Sequence, residues 1–288
     1  MVSNRPHPLS RPSARPARRY ARAAAGAPRS PASPSPATSK EPSASPRVAY
    51  LDLDATLLGP GGSLFRGRDG FSDAAARALA LLHERGVPVV LVSGRSRASL
   101  AVVARVLGAD GALPELGALE AGYPTRPDQT VFEAIAETGL PEALLAREPG
   151  LERHPHAPAR EGGHVFRGQA GAGAERFVHD RSGGALRLAD NGQAGRPGVR
   201  VYHLLPARAS KAEAVRRDVA RRGVDAAACL AVGDSPQDLG IAEVVGRMAV
   251  VANGAALDPD LAAGLWVTRG AYGEGVLEAV SEWLGIDA

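Results

Sequence analysis

The 288-residue chain has a single cysteine, Cys229, and two lysines among its 34 basic residues. It also lacks any uninterrupted apolar run of the eighteen or so residues that a membrane span requires, so no membrane partner is expected. One cysteine excludes an internal disulfide framework. Lying in the apolar run 226–232, Cys229 reads as a small core residue, which fits a reducing, cytoplasmic location. Hydrophobic residues make up 44% of the chain, enough for the core of one large domain or two modest ones.

A basic body is lacking too, although the formal net charge is +3. Residues 1–46 hold seven Arg and Lys40 against Glu41, a net of +7, which leaves the rest with 26 basic and 30 acidic residues, a net of −4. The basic signal therefore belongs to a tail, and no nucleic-acid partner is expected for the body. That tail is rich in Pro, Ala, Ser and Arg, has almost no large apolar residues and cannot offset its ordering entropy, so it is expected to be disordered. Arg18-Arg19 superficially matches a twin-arginine signal, but residues 21–27 are too short and too weakly apolar for the segment that should follow. A mis-assigned translation start is a second reading of the same tail.

From Arg47 onward, short β-like runs alternate with alanine-rich helical stretches, the pattern of a parallel sheet covered by helices. Strands are expected over 48–53, 87–92 and 229–232, with later ones over 248–252 and 265–268, and a helix over 72–85. Residues 123–205 have a different texture: one helix over 129–138, then Pro- and Gly-rich sequence with strand-like pieces at 164–167, 186–188 and 201–204. The expected fold is thus α/β, a Rossmann-like parallel sheet core formed by 47–122 and 206–288 with a smaller inserted α+β domain over 123–205. In such sheets ligands gather at the carboxyl ends of the strands.

Four groups of residues fall at such ends. Asp52-Leu53-Asp54-Ala55-Thr56 places two carboxylates and a hydroxyl at the sheet edge: one carboxylate can attack an electrophile while the other protonates the leaving group and later deprotonates water. Ser93-Gly94-Arg95 follows the next strand, where Ser93 and the N–H groups opening a helix could hold a phosphate oxygen. The blander reading is an ordinary strand-to-helix turn. Lys211 is the one lysine outside the tail, in a chain that otherwise uses Arg, which suggests a site needing a compact ammonium. Ser210 and Glu213 have capping-box spacing around it, so Lys211 is expected at the first position of a helix, accessible to solvent and tolerant of Arg as far as stability is concerned. Finally, Gly233-Asp234-Ser235-Pro236-Gln237-Asp238 offers Asp234 as an oxygen ligand for Mg²⁺ beside Asp52. For Asp238 two readings stand, a direct role or a helix cap at N3 behind Ser235 and Pro236.

Taken in this order, the four groups resemble the haloacid dehalogenase superfamily, with its D-x-D-x-T loop, Ser/Thr, Lys and G-D-x-x-x-D loop. The position of the insert is similar to that in the Cof-type and the mannosyl-3-phosphoglycerate or sucrose-phosphate phosphatase branches, where it forms a cap. The resemblance implies a phosphatase acting on a small phosphorylated metabolite, such as a sugar phosphate, through an aspartyl-phosphate. It implies Asp52 as nucleophile and Asp54 as general acid/base, with Thr56, Ser93, Gly94 and Lys211 around the phosphate. For Mg²⁺ it implies ligands from Asp52, Asp54, Asp234 and Asp238. The chain departs from the pattern at Ala55, where Gly is usual, at Gln237, where these branches usually have Asn, and at Glu115-Leu116-Gly117-Ala118, which only loosely matches their E-N-G-A turn. A sugar phosphomutase would share the intermediate, and a non-catalytic metabolite-binding relative would share the fold. Residues 151–205 hold eight Arg against five acidic residues and five of the chain's seven His, so the insert is expected to bring positive charge over an anionic site.

Overall fold

The computed structural model describes residues 47–193, 198–257 and 264–286; the expected disordered tail lies outside them. The central sheet has six parallel strands: β1 (Ala49–Asp52), β4 (Val89–Val92), β5 (Gly111–Leu113), β10 (Leu230–Gly233), β11 (Arg247–Val250) and β12 (Trp266–Val267). Their order is β12-β11-β10-β1-β4-β5. β1 is the first strand among the described residues and pairs with β4 on one side and β10 on the other, so the winding reverses beside it. That reversal opens a crevice at the carboxyl ends of β1, β4 and β10, where Asp52, Ser93 and Asp234 sit.

The strands are Val-, Leu- and Ala-rich because both faces are covered. Helices α1 (Ala74–Glu84), α2 (Arg97–Leu107) and α9 (Gly273–Trp283) lie on one face, against Leu51, Leu91 and Val232. Helix α6 (Lys211–Arg222) lies on the other, where Ala214 and Val215 meet Tyr50, Val90 and Ala231. Each fully buried Val or Leu contributes about 1.5–3 kcal/mol relative to exposure. Cys229 is fully buried in this second layer, the core role expected of it. Among the described residues no helix is long and apolar enough to cross a membrane.

Between β5 and α6 the chain forms an α+β insert. Helices α3 (Val131–Glu137), α4 (Leu140–Arg147) and α5 (Ala174–Arg181) cover an antiparallel sheet of β6 (Leu151–Arg153), β7 (His164–Gly168), β8 (Leu186–Gln193) and β9 (Arg200–Pro206), in the order β6-β7-β9-β8. The two-residue side-chain alternation of β9 decides what each face does. Tyr202 and Leu204 enter the insert's own core with Ile135, Leu144 and Phe166, whereas Val201 and His203 face the cavity over the crevice. A small hairpin of β2 (Arg66–Gly67) and β3 (Gly70–Phe71), α4, α5, β5 and β6 were not anticipated from sequence.

One buried carboxylate fastens the insert to the sheet. Glu115, just past β5, is 2% exposed and has a left-handed backbone (φ 52°). Its Oε1 accepts from the Glu161 N–H at 3.1 Å and its Oε2 from the Gly162 N–H at 2.7 Å. Burial raises its pKa above the usual carboxylate range, and these N–H groups oppose the rise. Hydrogen bonds to an ionised group contribute about 1.5–3 kcal/mol, so Glu115→Ala is expected to destabilise the protein by about that amount in urea unfolding. An unchanged midpoint would show that the insert is held elsewhere.

Candidate active site

Each predicted group sits where backbone geometry places it. Asp52 ends β1 and is only 5% exposed. The chain then turns through Ala55, whose φ of 64° is the left-handed conformation that favours the glycine usual at this position. Asn253, in the short helix α8 (Ala252–Leu257) that follows β11, holds this strained loop: its Nδ2 donates to the Ala55 carbonyl at 2.8 Å and its Oδ1 accepts from Tyr272 N at 2.8 Å. Ser93 directly follows β4, is 2% exposed, and its Oγ accepts from Arg95 N at 3.2 Å.

Lys211 departs from its sequence-based expectation in one respect. It is the first residue of α6, behind a Ser210 cap that accepts from Glu213 N at 3.0 Å, but it is 3% exposed rather than solvent-accessible. Its ammonium reaches inward and donates to Asp52 Oδ1 at 2.5 Å and Asp238 Oδ1 at 2.7 Å. Burial opposes charge on the lysine, but Asp238 and Asp52 outweigh it and keep the ammonium protonated.

Asp238 takes the cap position and also reaches Lys211. It sits at N3 of α7 (Pro236–Leu239), where its Oδ2 accepts from Ser235 N at 3.1 Å and Ser235 Oγ at 2.6 Å, while Oδ1 anchors Lys211. A Cβ on Gly233 would lie 2.4 Å from the Asp238 carboxyl carbon, so only glycine lets this carboxylate tuck under the strand end. Gln237 explains another departure: its Nε2 donates to the Asp190 carbonyl at 2.9 Å and its Oε1 accepts from Arg187 at 3.3 Å, so it ties the helix to β8.

Asp52, Asp234 and Asp238 bring carboxylate oxygens within 4.8 Å of one another, a cluster able to hold a cation. Two expected ligands stand apart. Thr56 is fully buried and its hydroxyl donates to Asp234 Oδ1 at 3.1 Å, so it orients that carboxylate instead of lining the cavity for a phosphate. The Asp54 carboxylate lies outside the acidic cluster, in a two-pronged ion pair with Arg95 at 2.8 and 2.6 Å. Arg95 was missed as a participant; its signal was its place two residues after Ser93, in the turn that leads into α2.

The charge balance favours a divalent ion. Three ionised carboxylates around one ammonium leave a net of two negative charges in a buried space. Burial and then the neighbouring carboxylates accordingly push Asp52 well up, against Lys211, and push Asp234 up to about 6. An oxygen-only donor set fits Mg²⁺. With both oxygens of Asp238 engaged, Asp52 and Asp234 are the carboxylates best placed to bind it. A cavity of about 760 Å³ spans this cluster and the insert, lined by Asp52, Ser93, Gly94, Lys211 and Asp234 below and by Arg160, Asn191 and His203 above.

No protein-family model and no curated protein matches the chain. Solved structures do, and they share the fold of haloacid dehalogenase-like hydrolases, the fold expected from the four groups of residues. A Thermoplasma acidophilum protein aligns at a TM-score of 0.62 and 18% identity over 84% of this chain and 99% of its own. The sucrose-phosphatase of Synechocystis sp. PCC6803, solved with sucrose and phosphate, aligns at 0.60 and 16% identity over 83% and 98%. A Bacteroides thetaiotaomicron phosphatase of the haloalkanoate superfamily aligns at 0.59 and 18% identity over 88% and 100%.

Two outcomes are expected from the cluster. The raised carboxyl of Asp234 favours the metal-free fold when protonated, a contribution present below about pH 4 and lost as pH rises through about 6. A cation that neutralises the cluster should therefore raise the melting temperature more at pH 7.5 than at pH 5. Equal Mg²⁺ shifts at the two pH values would contradict it. Lys211→Arg should lose stability as well as activity, because a guanidinium overpacks a site filled by an ammonium, at about 1–3 kcal/mol. Thermal melts beside kinetics would show whether both fall.

Proposed function

We propose that the chain is a Mg²⁺-dependent phosphatase that hydrolyses a small phosphomonoester through an aspartyl-phosphate on Asp52. In this reading residues 47–122 and 206–288 form the catalytic core and 123–205 the cap. The supporting observation is the nucleophile's environment: Asp52 ends the central strand, is almost fully buried, and is held by the chain's one lysine beyond the tail at 2.5 Å. The fold shared with a sucrose-phosphatase agrees with that chemistry.

The free oxygen of Asp52 attacks phosphorus as the bond to the leaving oxygen breaks. Lys211, fixed by Asp238, balances charge on the nucleophile and on the phosphoryl oxygens, and the Ser93 hydroxyl and Gly94 N–H lie beside them. Asp54 supplies the proton to the leaving oxygen and later takes one from the attacking water, which then splits the acyl-phosphate to regenerate Asp52 and release phosphate. For this Asp54 must turn from Arg95 toward the substrate, and its half-exposed side chain leaves it room to do so. Asp52 and Asp234 would hold Mg²⁺, whose charge would screen the repulsion between the carboxylate and the incoming phosphoryl group. A free, buried Cys229 fits action in a reducing cytoplasm.

The test is phosphate release from a panel of sugar phosphates, phosphoglycerate glycosides and nucleotides, with Mg²⁺ and with EDTA. Asp52→Asn should lower turnover at least ~1,000-fold while its melting curve stays cooperative. Substantial phosphate release from a clean preparation of that variant would remove Asp52 as the nucleophile.

A further inference from the structure

The roof of the cavity carries polar groups that the proposed chemistry does not use. Arg160, in the loop before β7, donates through Nη1 to the Gly94 carbonyl, and its Nε is buried without a partner. Among the described residues no carboxylate lies within ion-pair distance of it. Glu115, whose charge acts on it from further away, is spent on main-chain N–H groups. A guanidinium enclosed in this way without a counter-ion is costly, and the cost is relieved when an anion arrives.

Two side chains beside it also lack partners. His203 is 4% exposed and lines the cavity, and among the described residues neither ring nitrogen has a hydrogen bond. Asn191, on β8, is half-buried with a free side-chain amide. Both converge on Gly94: a Cβ there would stand 3.4 Å from Asn191 Nδ2 and 3.4 Å from His203 Nε2. Burial, with Arg160, His154, Lys211 and Arg187 nearby, holds His203 well below its usual range, so its imidazole is neutral and can donate without adding charge. The roof thus offers one cation and two neutral donors above the loop that would bind the phosphate.

We propose that Arg160, Asn191 and His203 form a second anion subsite that takes a carboxylate of the substrate, so that the phosphomonoester is a phosphorylated hydroxy acid. This rests on the phosphatase reading above. One planar guanidinium with two neutral donors matches a singly charged, planar acceptor, whereas a second phosphate would bring about two charges to a single cation.

Matched pairs test it: 6-phosphogluconate against glucitol 6-phosphate, and 3-phosphoglycerate against glycerol 1-phosphate. In each pair a carboxylate replaces a CH₂OH group. Binding is read by calorimetry on the full-length Asp52→Asn protein with Mg²⁺, and phosphate release on the wild type. The carboxylate member of at least one pair should bind at least ~10-fold more tightly, and Arg160→Gln should reduce that ratio at least ~10-fold. Arg160→Lys, which keeps the charge, should retain part of it. Asn191→Ala, which breaks no hydrogen bond present among the described residues, is the second variant should Arg160→Gln melt early. It should lower the ratio at least ~3-fold. Equal affinities within every pair, a ratio that survives Arg160→Gln, or tighter binding of fructose 1,6-bisphosphate than of 6-phosphogluconate would overturn the subsite even if phosphate release is robust. A carboxylate preference lost in Arg160→Gln, without phosphate release from any compound, would support the subsite and remove the phosphatase reading.

Discussion

The candidate site depends on one ammonium held among buried carboxylates. Lys211 is a cation that water no longer solvates, and Asp52 and Asp238 replace that solvation with two short hydrogen bonds. Neither carboxylate could be buried there without it, because isolated charges in a protein interior are too costly. The remaining excess of negative charge makes the site receptive to a dication and to an electrophile. Stability and chemistry are therefore set by the same few atoms.

The supports of this arrangement lie far apart in sequence and close in space. Asp238 caps α7 and holds the lysine, and Gly233 lets its carboxylate approach the strand end. Thr56 orients Asp234 from beneath, and Asn253, in the helix that follows β11, steadies the left-handed turn at Ala55. Three strands of the sheet thus contribute to one loop cluster. The reversal of winding beside β1 brings their carboxyl ends together.

Much of this was legible in the sequence because it rests on local rules. The buried parallel strands announced themselves as apolar runs ending in Asp, Ser or Gly, and the Ser210 cap before Lys211 was readable from residue spacing, although only the Ser210 half of the expected capping box forms, with Glu213 turned to Arg216. What could not be read depends on direction and distance. A first helical position is exposed on an isolated helix, but α6 packs its start against the ends of β1 and β10, so the Lys211 side chain lies inside. Thr56 was expected beside the phosphate and Arg95 was given no role; only the folded loop shows that the hydroxyl faces Asp234 and that the guanidinium pairs with Asp54. The short elements β5 and β6, of three residues each, carry too little periodicity to register. Helix α5 buries only Ala174 and Val178.

The alternation along β9 separates two vocabularies that share one strand. Tyr202 and Leu204 are committed to the interior of the insert, while Val201 and His203, interleaved with them, touch nothing that the fold requires of their particular chemistry. Substitution at the cavity-facing positions is therefore expected to disturb folding less than substitution at the packed ones. A lineage carrying this strand can acquire a new diet one alternate residue at a time without rebuilding the machinery beneath it.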